Sequence, residues 1–164
     1  MTERVFIGLG SNLSEPRAQL HAAVQSLARI PDTSLRAVSS LYQTRPLGPQ
    51  DQPDYLNAVV QLETELEPEA LLDQLQSIEA DQGRRRDGER WGARTLDLDI
   101  LLFGERTMNT PRLTIPHAGL HQREFVLYPL NELAPDQEVP ELGLVAELTA
   151  SCAPNGIERA GVLE

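Results

Sequence analysis

Apolar positions along this chain switch between two spacings, and the switches mark out the predicted elements. Val5–Leu9 is a short apolar run that predicts a first strand, ending in the turn-rich GSNLSEP. Ser14, Glu15 and Pro16 supply a helix start, with proline tolerated in the first turn. Leu20, Ala23, Val24, Leu27 and Ile30 then recur at helical spacing until Pro31–Asp32 stops them. Ser34–Gln43 is expected to be extended, and TRPLGPQDQP is a loop because proline and glycine break both regular structures. In Tyr55–Leu66, Ala58, Val60, Leu62 and Thr64 fall on one strand face. Pro68 opens a second helix to about Gln82, whose buried stripe is Leu71, Leu72, Leu75 and Ile78. Leu96–Phe103 predicts another strand, apolar enough at its end to suggest a central place in a sheet.

The order strand, helix, strand, strand, helix, strand fits an α+β, split βαβ arrangement, with two helices covering one face of an antiparallel sheet. Met108–Leu120 is expected to be irregular or a short hairpin. Arg123–Leu130 begins a short helix ended near Pro129, and Leu142–Thr149 can form one more. Residues 1–150 are expected to form the main domain. The tail, residues 151–164, has few apolar residues and is expected to fray after Ser151.

Composition narrows the chemistry. The 164 residues suffice for one sizeable core, and 40% apolar content excludes wholesale disorder. No apolar run approaches a membrane span and MTERVFIGLG lacks a secretory pattern, so the expected compartment is the cytoplasm. Cys152 is the single cysteine, which excludes a disulfide framework or thiolate cluster. A net charge of −11 argues against coating a nucleic acid. Every Lys/Arg position is arginine, so the lysine of GxxxxGK[ST] phosphate loops, of protein kinases and of Schiff-base catalysis is missing.

Against that acidic background, RRRDGERWGARTLDLDILLFG at 84–104 stands out. On a strand, Asp97 and Asp99 point one way and Leu96, Leu98 and Ile100 the other, with the aspartates about 6.6–6.8 Å apart at Cα. Carboxylates so placed can hold one hard cation or bracket two, which predicts magnesium at Asp97 and Asp99. A solvated sheet edge is the competing explanation. The arginines at 84, 85, 86, 90 and 94 straddle Gly83, Gly88 and Gly92, as a loop able to close over polyphosphate would. The same arginines can instead pair with Asp87 and Glu89 in solvent, and Trp91 can cover a ligand or anchor the loop. GLGSN at 8–12 is read as strand exit and turn, its glycines allowing close backbone approach.

GLGSNL at 8–13, TRPLGPQDQPDYLNAV at 44–59, GRRRDGERWGARTLDLDILLF at 83–103, PRLTIPH at 111–117 and REFVLYPL at 123–130 together resemble the 6-hydroxymethyl-7,8-dihydropterin pyrophosphokinase family of folate biosynthesis. The blocks span roughly the first 135 residues in family order. The resemblance implies a ferredoxin-like antiparallel sheet with helices packed on it and additional C-terminal elements. It also implies diphosphate transfer from ATP to the pterin hydroxymethyl group, releasing AMP. By resemblance, Asp97 and Asp99 hold two Mg2+ ions around the triphosphate, and Arg84 and Arg94 are loop arginines that meet ATP. Arg90, Trp91, Arg112, Thr114, His117 and Arg123 look like nucleotide-side positions. Thr44, Leu47, Tyr55, Asn57 and Phe125 resemble the pterin site, whose flat ring is bracketed by the tyrosine and the phenylalanine. Glu79 matches a family glutamate without an assigned role. Arg45 stands where many members carry proline.

The expected partners are these two small molecules, with no nucleic acid and no membrane. The chain is expected to be a monomer, with association or fusion to other folate enzymes left open. A magnesium-dependent phosphoryl or nucleotidyl transferase with another acceptor, or a non-catalytic nucleotide- or pterin-binding domain, are the alternatives.

Overall fold

The computed structural model of the chain describes residues 2–11, 16–44, 55–82, 96–154 and 156–162. Strand β1 (Glu3–Ser11) is followed by α1 (Pro16–Leu27), β2 (Thr33–Val38), β3 (Ser40–Thr44), β4 (Tyr55–Thr64), α2 (Pro68–Asp81) and β5 (Asp97–Phe103). A two-stranded hairpin, β6 (Met108–Asn109) with β7 (Thr114–Ile115), comes next, then a single 3₁₀ turn at Leu120–Gln122. Helix α3 (Glu124–Leu133), a small hairpin of β8 (Glu138–Val139) and β9 (Gly143–Leu144), α4 (Val145–Ala150) and β10 (Glu158–Val162) complete the order.

The main sheet runs β10-β3-β4-β1-β5, with β2 also pairing to β4, and its pairs are antiparallel. Alternation along the strands divides the interior in two. Val5, Ile7, Leu9, Ala58, Val60, Leu62, Leu98 and Ile100 face the stripes of α1 and α2, Leu20, Leu27, Leu71 and Leu75 among them. On the opposite face Phe6, Val59, Leu101 and Leu102 pack with Leu127 and Leu130 of α3 and Val145 of α4. Truncating any one of the fully buried leucines to alanine costs about 2–5 kcal/mol. The α+β arrangement of an antiparallel sheet with helices packed on it therefore follows from period-two strands and period-3.6 helices, as the sequence predicts.

The ladder between β1 and β5 contains a bulge. Ile7 pairs with Ile100, but Phe6 pairs with Leu102, so Leu101 is the extra residue. Leu101 and Leu102 consequently both serve the α3 core, while Phe103 returns to the other.

Four expectations need correction. β5 lies at the end of the sheet path, not in its centre. Its apolar residues are buried because the edge is covered: the Glu79 carboxylate accepts from the Leu98 N–H at 2.8 Å, and the His117 N–H donates to the Leu101 carbonyl at 3.0 Å. Ser34–Gln43 is two strands broken at Ser39, whose hydroxyl accepts from the Val59 N–H at 2.9 Å. Pro129 does not end α3, which continues to Leu133; the proline removes one amide donor, and its ring is buried where the helix packs. The chain does not fray after Ser151, because β10 pairs antiparallel with β3. From α1, Arg17 donates to the carbonyls of Ala160 at 2.8 Å and Val162 at 3.2 Å, adding side-chain bonds to a strand with few apolar residues.

Candidate active site

The sheet face opposite α1 and α2 carries α3 at one end and a concavity at the other. Its floor is built by register. Asn57 of β4, Gly10 of β1 and Asp97 of β5 form one row across the sheet; Val59, Gly8 and Asp99 form the next. Both glycines lie inside β1, which extends to Ser11, two residues past the end expected at Leu9. A Cβ on Gly10 would stand 3.1 Å from Asn57 Oδ1, and one on Gly8 3.3 Å from Leu101 Cδ2. Side chains there would crowd both neighbours, so glycine at every second position keeps the floor clear.

One cavity opens on this floor, and a second lies beside it at the β5 edge, toward α2. The first, about 290 Å³, is lined by Thr44, Tyr55 and Asn57 on one side and by Arg123 and Phe125 at the start of α3 on the other, with Asp97, Asp99 and His117 at its end. The second, about 420 Å³, is lined by Glu79, Arg112 and Thr114 and contains Asp97, Asp99 and His117 as well. The aspartates and the histidine stand where the cavities meet. Of the residues singled out from sequence, the structure brings Thr44, Tyr55, Asn57 and Phe125 together in the first cavity, and Arg112 and Thr114 in the second. Arg123, expected on the nucleotide side, lines the first cavity, its guanidinium carbon 5.8 Å from the Phe125 ring centroid. Arg84, Arg90, Trp91, Arg94 and Leu47 lie outside the described residues.

Each wall residue is held by a specific contact. Asn57, buried, donates from Nδ2 to Thr44 Oγ1 at 3.0 Å, fixing its amide orientation. Arg112, between β6 and β7, reaches α2, donating to Asp73 at 2.7 Å, with Glu69 at 3.5 Å. His117 Nδ1 accepts from the Gly119 N–H at 3.2 Å, which leaves the proton of the neutral ring on Nε2. Burial holds the His117 imidazole below its ordinary pKa; Asp99 opposes the shift and Arg123 adds to it. The buried Glu79 carboxylate, on the Leu98 amide, fixes the backbone between the two aspartates.

Two functional features escape sequence reading. The first is Gly119, where a Cβ would lie 2.6 Å from Arg123 Nε. Nothing in the local pattern signals it, because the clash is with a side chain four residues on. The second is the floor of Gly8 and Gly10, for which the signal is their spacing of two.

Paired carboxylates on one face, fronted by glycines, suit a hard divalent cation. Among the described residues no group of three His, Cys, Asp or Glu side chains could hold a metal. The remaining positions would fall to water and substrate oxygens, which is how Mg2+ is commonly held beside phosphates. The donor set fits magnesium.

A family model described as 7,8-dihydro-6-hydroxymethylpterin-pyrophosphokinase (HPPK) matches residues 6–135. A 2-amino-4-hydroxy-6-hydroxymethyldihydropteridine pyrophosphokinase of Pseudomonas aeruginosa is 55% identical over 159 residues, covering 97% of this chain and 98% of its own. The protein of the same name from Haemophilus influenzae is 53% identical over 148 residues, covering 90% and 92%. Among solved structures, the wild-type HPPK-DHPS of Plasmodium falciparum matches with a TM-score of 0.70 over 92% of this chain. At 14% identity that likeness bears on the fold alone, and this chain spans 45% of the Plasmodium chain. The chain belongs to the 7,8-dihydro-6-hydroxymethylpterin-pyrophosphokinase family.

Proposed function

We propose that the meeting point of the two cavities is where diphosphate passes from nucleotide to pterin, with Asp97, Asp99 and His117 at the crossing. The reaction itself follows from the family: the enzyme transfers diphosphate from ATP to the hydroxymethyl group of 6-hydroxymethyl-7,8-dihydropterin, giving AMP and the pterin diphosphate, a step of folate biosynthesis. What supports the division of labour is that the aromatic pair Tyr55 and Phe125 lines one cavity and Arg112 with Thr114 the other, while both aspartates border each.

In the first cavity, Tyr55 and Phe125 offer aromatic faces for a flat bicyclic ring, and Asn57 and Thr44 offer polar atoms to its heteroatoms. Leu47 belongs to this side by family likeness. Arg112, Thr114 and His117 line the side assigned to ATP, with Arg84, Arg90, Trp91 and Arg94 joining them by likeness. Arg123, beside Phe125, faces the transferring group from the pterin side. Asp97 and Asp99 would hold two Mg2+ ions, which when bound neutralise phosphate charge as Lewis acids. Positioning is the larger task for the protein. Holding the hydroxyl in line with the β-phosphorus converts an encounter into an intramolecular step. Arginines about the phosphates stabilise the developing charge without moving a proton. We further propose that the enzyme acts as a monomer in the cytoplasm.

Product analysis tests the reading. Purified protein with ATP, magnesium and the reduced hydroxymethylpterin should yield AMP and pterin diphosphate in equal amounts by mass spectrometry. ADP would mean single-phosphoryl transfer and overturn it. Asp97→Asn and Asp99→Asn should each lower kcat on the order of 10²–10³-fold, the scale of losing one preorganised electrostatic group. Unchanged magnesium–nucleotide binding in the double variant, measured by calorimetry, would remove the aspartates from the metal site.

A further inference from the structure

We infer that Glu132, two turns along α3 from Phe125, is a positioning residue that sets the width of the pterin cavity. The inference rests on the reading of the first cavity as the pterin site.

The cavity has two walls on different elements. Phe125 and Arg123 stand at the start of α3; Thr44, Tyr55 and Asn57 belong to β3 and β4. Apolar packing of Val126, Leu127 and Leu130 holds the helix onto the sheet, but such contacts are non-directional and tolerate sliding. Glu132 supplies direction. Its carboxylate accepts from the Ser40 N–H, 3.1 Å from each oxygen, from the Ser40 hydroxyl at 3.0 Å and from the Tyr42 hydroxyl at 2.8 Å. Arg159 of β10 stands 3.6 Å from the same carboxylate, and its guanidinium lies over the Tyr42 ring at 5.8 Å.

The strand side of this tie runs straight to the cavity. Tyr42 pairs with Asn57 and Thr44 with Tyr55, while Asn57 donates to Thr44 across the two strands. The helix side is equally direct, because Phe125 and Glu132 lie seven residues apart, on one face of a helix. One carboxylate, its side chain 27% exposed, therefore links the residue read as covering the pterin ring to the strand beneath it. Charge-assisted bonds to a backbone amide and two hydroxyls fix register where packing alone would not.

The test separates positioning from mere stability. Glu132→Ala, Glu132→Gln and Tyr42→Phe are compared with the parent enzyme for pterin affinity, magnesium–ATP affinity and thermal midpoint. Glu132→Ala should weaken pterin binding by about tenfold while changing nucleotide affinity less than about twofold, since a displaced wall acts on one cavity. Glu132→Gln keeps an acceptor oxygen and should recover part of the loss. Tyr42→Phe keeps the ring and should show a smaller loss, absent once Glu132 is alanine, because the two share one bond. Equal weakening of both ligands, or unchanged pterin affinity in a folded Glu132→Ala protein, would overturn the inference. Should that variant not fold, Tyr42→Phe and Glu132→Gln decide it: unchanged pterin affinity in both overturns it. A parent enzyme that binds no pterin would refute the reading of the site and not the tie.

Discussion

A methyl group at position 119 would sit 2.6 Å from Arg123 Nε and 2.8 Å from its guanidinium carbon. The long side chain would swing aside, leaving the fold intact but the first cavity without its cation. Gly119→Ala should therefore lower kcat/KM by roughly tenfold, the equivalent of about 1.4 kcal/mol, at an almost unchanged thermal midpoint. Steady-state kinetics beside a melting curve checks this, and parallel losses of both would point to misfolding instead. His117 makes a different prediction. Its folded pKa lies below the ordinary value, because burial disfavours the imidazolium. Below about pH 6.5 the unfolded chain then binds more protons than the folded one, so stability rises with pH through that window and falls as acid is added. Urea midpoints between pH 5 and 8 should climb less steeply for His117→Asn than for the parent, and identical slopes would contradict the assignment.

At the scale of elements, β5 shows how an edge strand can carry a buried sequence. Glu79→Ala would strip the Leu98 amide of its acceptor and cost about 1–3 kcal/mol, read as a lower urea midpoint. Glu79→Gln, which retains a carbonyl oxygen, should cost less. The aspartate pair was legible in the sequence because period two survives any placement of the strand, and so were the stripes of α1 and α2. The edge position of β5 was not, since apolar content reports burial but not what does the burying. The same holds for the continuation of α3 past Pro129, which depends on packing against the sheet and not on local propensity. Gly119 and the role of Glu79 escaped for a related reason: each acts on a partner that only the folded chain brings near.

Across the whole molecule, a largely exposed C-terminal strand completes one edge of the sheet. Removing residues 156–164 would delete the pairing to β3 and the two Arg17 bonds to Ala160 and Val162. A loss of about 2 kcal/mol is expected from several net hydrogen bonds less the ordering they require. That corresponds to a fall of roughly 4–8 °C in Tm for a chain of this size. An unchanged midpoint would mean that β10 only rests on the edge. The bulge at Leu101 has the last consequence. Upstream of it, odd-numbered residues of β5 face the cavities; downstream, the parity reverses. Leu101 is the residue on which that reversal turns, so deleting it would join Ile100 directly to Leu102 in an unbroken ladder, with both carboxylates still over the cavities and Leu102 still toward α3. Deleting Leu98 instead would make the aspartates adjacent and turn one of them into the hydrophobic interior. The strand can therefore lose a residue at its bulge but not between its carboxylates, and descendants of this sequence should vary in count only at the former.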